Sequence, residues 1–150
     1  MSEALRTVVV GLAGLGVFFT WQSIRTTAME SSSPQRLVEE LRLAQSAALL
    51  LVLIAGAYIG FAVVREHEPG VGLDIAFAIG FLVVAGVAMV RDPRQALTMI
   101  ALAFAAHAVL DVAHRPGMLP IALAPRWYAV GGAVYDVYIA AVCYLPVLRR

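Results

Sequence analysis

The sequence has no lysine, a single cysteine and little charge of either sign. Of its 150 residues 14% are charged and 61% are hydrophobic, whereas a soluble globular domain is about a quarter charged and about 45–50% apolar. That imbalance excludes most soluble classes. Cys143 lies inside an apolar run and has no second cysteine to pair with. Without a Cys-x-x-Cys, the thiol–disulfide oxidoreductases of membranes are excluded as well. The basic residues are all Arg, which reads as genome composition rather than function, and a net charge of +1 gives no reason to invoke nucleic acid.

What the sequence does have is apolar length. A spanning helix needs about 20 mostly apolar residues, and five stretches qualify, at 7–24, 44–64, 73–90, 95–113 and 127–148. Short polar segments separate the later ones. Glu68-Pro69-Gly70, Arg91-Asp92-Pro93 and Arg115-Pro116-Gly117 each stop a helix and turn the chain. The expectation is a single all-α domain, an integral membrane bundle of five transmembrane helices. Arg6 and the apolar run after it have the outline of a secretory leader, but no small-x-small cleavage site follows. That segment is expected to remain as the first helix.

Between the first two spans, Ser33 and Pro34 offer a helix cap and a first helical residue. Leu37, Val38, Leu41 and Ala44 then recur at helical spacing, with Arg36, Glu39, Glu40 and Arg42 on the other side. This segment is expected to project into water, or to lie along the interface as an amphipathic helix, with its charged face solvated. Across the alternating connections, Arg6, Arg65, Arg115 and Arg126 fall on one side of the membrane. Arg25, Arg36, Arg42, Arg91, Arg94, Arg149 and Arg150 fall on the other. The positive-inside bias predicts a cell-membrane protein with its N-terminus outside and its C-terminus cytoplasmic.

Ionisable groups inside a bilayer are costly and usually mark a pathway or a site. Boundary Arg and Glu aside, they are Asp74, His107, Asp111, His114 and Asp136, and Tyr58, Tyr135 and Tyr138 add hydroxyls. His107, Asp111 and His114 are spaced i, i+4, i+7, at 0°, about 40° and about −20° around a helix. The rest of that helix is apolar, so this narrow stripe is expected to face other helices or a wet cavity. At about 1.5 Å per residue, Asp74 lies near the predicted outer face and Asp111 about 5 Å in. His107 and Tyr58 lie about 10 Å deep and Asp136 about 13 Å. Groups from four helices thus share one half of the membrane, which predicts a polar pocket opening outward. No intramembrane charge is expected in the other half.

Each group also has a plainer role. His107 can bond a neighbouring helix, Asp111 can pair with Arg115 one turn on, His114 can be a loop residue, and Asp74 can suit a helix N-terminus. Asp136, in mid-helix between Tyr135 and Tyr138, is the hardest to explain structurally. Gly56-x-x-x-Gly60 and rows through Gly11, Gly14, Ala76, Gly80, Ala101 and Ala105 are expected to mediate close helix contact. Gly132 and Ala140, one turn either side of Asp136, would set that carboxyl at a tight seam. Arg126-Trp127-Tyr128 reads as an interfacial aromatic belt, with Trp127 also a candidate for stacking on a substrate.

The segment His107-Ala108-Val109-Leu110-Asp111-Val112-Ala113-His114, followed by Pro125-Arg126-Trp127-Tyr128 and Tyr135-Asp136, resembles a family of small bacterial membrane proteins with four spanning helices. In that family a His-Ala-x-x-Asp-x-x-His segment precedes a Pro–Trp turn and a final helix bearing Asp. Tyr58-Ile59-Gly60-Phe61-Ala62 and Asp74 also fit. The resemblance covers roughly Ala44 to Leu148 and makes the first helix an addition. It departs at Arg115, where the pattern has a second His. The family carries no assigned activity, so the resemblance implies a choice of residues and not a reaction.

Three functions suit these residues. One is an enzyme of isomerase, cyclase or hydrolase type that works without a cofactor on a lipophilic, isoprenoid- or lipid-like molecule. In it Asp136 is the buried acid and Asp111, oriented by His107, is the base. Asp74 and His114 belong to the same catalytic set, and Tyr58, Tyr135 and Trp127 bind the substrate. The second is a divalent metal site built from His107, Asp111, His114 and Asp136; against it, the two His lie about 10 Å apart along one helix axis. The third is a small non-catalytic membrane subunit. The expected partners are a lipophilic small molecule and membrane lipid, and a homo-oligomer is allowed.

Overall fold

A computed structural model of the chain describes residues 3–114, 118–120 and 126–149. The fold is all-helical and no strand occurs among the described residues. The helices are α1 (Glu3–Thr27), α2 (Pro34–Val64), α3 (Val71–Ala88), α4 (Pro93–Ala113) and α5 (Arg126–Leu148). All five are long and apolar enough to cross a membrane. The large residues they turn outward are apolar, among them Val17, Leu53, Val83, Leu102, Val109 and Val134. That is the arrangement a hydrocarbon solvent requires, with apolar side chains outward and backbone polar groups paired within the helices except at their end turns.

The helix boundaries follow local chemistry. α2 starts at Pro34, whose missing N–H costs nothing in a first turn. Ser33 is its cap residue, although the hydroxyl bonds the Gln35 side chain rather than a backbone N–H. Asp92 caps α4 by accepting from the Gln95 N–H at 3.1 Å, with Pro93 behind it. α3 begins after Gly70, which has φ +99°. A Cβ at Gly70 would also lie 2.7 Å from Pro120 Cβ, so glycine is required there on both conformational and steric grounds.

Buried side chains from all five helices form the core, including Phe19 of α1, Leu43, Ala47 and Leu51 of α2, Ala85 and Ala88 of α3, Leu97, Ile100 and Phe104 of α4, and Ile139 and Cys143 of α5. The expected glycine rows contribute little to this packing. A Cβ on Gly11, Gly14, Gly56, Gly60 or Gly80 would meet nothing within 4 Å. The Gly-x-x-x-Gly of α2 therefore faces outward and joins no helices among the described residues. Gly132 behaves as expected: a Cβ there would stand 2.9 Å from Asp111 Oδ2, so α5 passes α4 closely at the carboxylate.

The largest departure from expectation is the start of α2. Arg36 and Glu40 are buried and Glu39 nearly so, while Leu37 and Val38 are about half exposed. The charged face turns inward because it has a structural task there. Arg36 Nε donates to Glu40 Oε1 at 2.9 Å, Nη1 to the Met29 carbonyl at 3.1 Å and Nη2 to the Pro146 carbonyl at 2.9 Å. Nη2 also donates to the Arg149 carbonyl. One guanidinium thus satisfies carbonyls of the last turn of α5, which no later N–H of the helix can reach. Arg94 of α4 lies 3.5 Å from Glu40 Oε2, and Arg25 and Arg42 flank Glu39 at 3.4 and 3.0 Å. The segment expected to turn its charged face to water therefore holds an ion network joining α1, α2, α4 and α5.

Candidate functional site

The opposite end of the bundle holds the residues singled out from the sequence. From Glu40 to Tyr58 the chain climbs about 27 Å along α2 at 1.5 Å per residue, and there the Tyr58 hydroxyl donates to Asp111 Oδ1. His107, one turn before Asp111 on α4, pairs through Nδ1 with Asp136 Oδ2 of α5 at 2.6 Å. The same Nδ1 stands 3.8 Å from Asp111 Oδ2. His107, Asp111 and Asp136 are all buried. The imidazole is fixed between Tyr58 and Phe81, whose rings meet it edge-on at 5.2 and 5.0 Å between centroids.

Two oxygens in this group lack a hydrogen bond, Asp111 Oδ2 and Asp136 Oδ1, although both are fully buried. Among the described residues no Arg pairs with either carboxylate. Two carboxyls and one imidazole in a place shielded from water need a proton or a cation to balance them. The observed hydrogen bonds supply only part of that balance.

His114 and Asp74 form a second pair beside the first, with Nε2 3.4 Å from Oδ1. His114 Nδ1 faces the Pro120 carbonyl at 2.7 Å. That carbonyl can only accept, so Nδ1 carries a hydrogen. A cavity of about 20 Å³ touches Asp74, His114, His107, Asp111 and Tyr58, with room for about one water.

A wider opening onto this group lies on the α1 side of α5. A cavity of about 480 Å³ runs between α1 and α5, with His107, Asp111 and Asp136 in its lining. Val8, Leu12 and Ala13 of α1 form an apolar wall, and Trp127, Tyr128 and Tyr135 of α5 supply aromatic surface. The first helix is thus a wall of the chamber. Among the described residues its hydrogen bonds to α5 lie at the floor of the chamber and beyond it. There the Tyr138 hydroxyl donates to the Gly16 carbonyl at 3.0 Å and lies against the Thr20 hydroxyl, and Ser23 donates to the Val142 carbonyl at 2.7 Å.

Against the sequence-derived set, the structure brings His107, Asp111 and Asp136 together. It places Asp74 and His114 next to them as a separate pair. Trp127 and Tyr135 line the chamber, Tyr135 with a buried hydroxyl that has no hydrogen bond. Tyr58 does not line it: this side chain positions Asp111 from behind. His107 takes Asp136 as its close partner rather than Asp111. Arg115, the expected partner of Asp111, lies outside the described residues. Sequence reasoning missed Tyr128 as a chamber residue, although its ring packs on Tyr58 and Phe61 at 6.2 and 5.3 Å. It also missed the apolar wall from α1. Only the position of Tyr128 one turn before Gly132 could have flagged it.

Comparison of the chain with protein-family models, curated proteins and solved structures returns no match.

Proposed function

We propose that this protein is an integral membrane enzyme that transfers a proton to or from a lipophilic, isoprenoid- or lipid-like molecule, in a reaction of isomerase, cyclase or hydrolase type. The observation that carries the reading is the composition of one chamber. Its walls are apolar and aromatic, and one side of it carries His107, Asp111 and Asp136. A largely apolar cavity with a few convergent polar groups is the form of a small-molecule site. Buried carboxyls beside an imidazole are the equipment of general acid–base chemistry.

The roles follow the hydrogen bonds. Asp136 and His107 hold a proton between them and act as the relay. Asp111, anchored through Oδ1 by Tyr58, presents the unbonded Oδ2 as the group that meets substrate. Trp127, Tyr128 and Tyr135 hold the hydrocarbon. Asp74 and His114 stand behind the group as a proton reserve.

The test works whichever lipophilic molecule the chamber holds. Full-length protein is purified in mild detergent, its bound molecules are extracted, and the extract is compared by mass spectrometry with that of Ala13→Phe, which fills the chamber, and of Asp136→Asn, which keeps its shape. Wild type is expected to carry a lipophilic molecule that Ala13→Phe loses. Asp136→Asn is expected to retain a molecule of the same class in a different, unconverted form. Identical extracts from all three proteins would refute the reading, as would a stoichiometric protein partner in place of any small molecule.

A further inference from the structure

The three side chains at the chamber wall also meet the requirements of a metal centre. One donor atom from each of His107, Asp111 and Asp136 lies within 4.8 Å of the other two. Around an ion with bonds of about 2.0–2.1 Å, neighbouring ligand atoms sit about 3.0–3.4 Å apart. The His107 Nδ1 separations of 2.6 Å to Asp136 and 3.8 Å to Asp111 straddle that range, so small side-chain adjustments suffice.

A second observation points to a ligand independently of this spacing. Asp111 Oδ2 and Asp136 Oδ1 are buried acceptors without a donor, in residues 7% and 1% exposed. One added proton would settle one of these oxygens. A cation against both carboxylates would settle the group at once and balance its charge. Gly132 gives the space, since any side chain there would press on Asp111 Oδ2. Tyr58 supplies the outer support that orients a ligating carboxylate.

We infer that His107 Nδ1 and one carboxylate oxygen each from Asp111 and Asp136 hold a divalent first-row transition metal ion. The imidazole selects the class: Mg²⁺ and Ca²⁺ prefer all-oxygen sites, whereas a mixed imidazole–carboxylate set suits Mn²⁺, Fe²⁺ or Zn²⁺. Three protein ligands with the remaining positions toward a cavity is the pattern of a catalytic ion rather than a structural one. His114 is not among the ligands, because Asp74 and the Pro120 carbonyl engage both of its nitrogens. The inference rests on the proposed function for the location of the centre and replaces its proton relay: an ion on Nδ1 displaces the proton shared with Asp136, and a water held by the ion takes over the proton transfer.

The experiment uses the full chain, purified in detergent, stripped with chelator and dialysed. Zn²⁺, Mn²⁺ and Mg²⁺ are added separately, bound metal is counted by elemental analysis, and Co²⁺ serves as the optical probe. The expected result is one Zn²⁺ or Mn²⁺ per chain and no retained Mg²⁺. Asp111→Asn and Asp136→Asn should weaken binding by more than the roughly 10–100-fold typical of changes outside the ligand shell. His114→Gln and Asp74→Asn should bind as wild type does. Pulsed electron paramagnetic resonance of the Mn²⁺ protein should show coupling to one imidazole nitrogen, a measurement on wild type that stands even if a variant fails to fold. No bound transition metal, absence of the nitrogen coupling, or loss of binding in His114→Gln would each overturn the inference. A metal-free protein that still carries the chamber molecule overturns the ion alone. A metal-loaded protein whose chamber is empty overturns the proposed substrate class alone.

Discussion

The two ends of this bundle gather similar chemical groups and treat them in opposite ways. At one end Arg36 joins Glu40 to carbonyls at the end of α5, Arg94 stands beside Glu40, and the Arg36 guanidinium donates to acceptors through Nε, Nη1 and Nη2. Glu40 Oε2 and Arg94 Nε, each without a hydrogen bond, carry opposite charges and face one another at 3.5 Å. At the other end His107, Asp111 and Asp136 are also gathered, yet the two unbonded oxygens carry charge of the same sign and the group looks onto a chamber of about 480 Å³. A buried charge paired with its opposite is structural. One that is gathered, unfinished and beside a cavity has capacity left for something else.

The most severe test of that contrast is Arg36→Met. It should cost about 3–5 kcal/mol, the usual result of leaving a buried partner charge behind, and thermal unfolding in detergent measures it. Replacing Glu40 by Leu in the same protein should recover much of the loss, because an apolar pair needs no compensation. An Arg36→Met protein that melts like wild type would remove the lock from the comparison. Next in size is Gly70→Ala, expected to cost about 1–3 kcal/mol because a residue with a side chain must take the left-handed conformation and meet Pro120.

The chamber end should answer differently. Asp136→Asn keeps an acceptor for His107 and removes a buried charge, so its stability should stay within about 1 kcal/mol of wild type while bound-molecule turnover and metal affinity fall. Equal losses of stability at both ends would show that the His–Asp group is structural after all. The smallest expected effect is Gly56→Leu. The glycine faces outward with nothing near it, and the change should stay within about 0.5 kcal/mol. A large loss, accompanied by a change in oligomeric state in detergent, would reveal a second copy on that face.

The number and position of the helices were legible because a bilayer tolerates few solutions, and long apolar runs broken by Pro and Gly encode one of them directly. The convergence of Tyr58, His107, Asp111 and Asp136 was legible for a related reason: depth along a helix can be counted from its ends. What could not be counted was azimuth. Arg36 and Glu40 were expected in water because Leu37 and Val38 share their segment and only one face can be buried. Nothing local says that the carbonyls of α5, 110 residues away, need a cation more than Leu37 needs cover. Gly56-x-x-x-Gly60 misled in the same manner, its spacing marking a smooth face but not what lies opposite.

By itself the sequence determined that this chain folds as five membrane-crossing helices and that its few ionisable groups sit at set heights, since hydrophobic length and helical rise are local quantities. Which of those groups share a proton, which stand unfinished, and that α1 closes the chamber were decided only by tertiary structure. Those outcomes depend on how each helix is rotated against its neighbours, and that rotation is set by all the contacts of the bundle together.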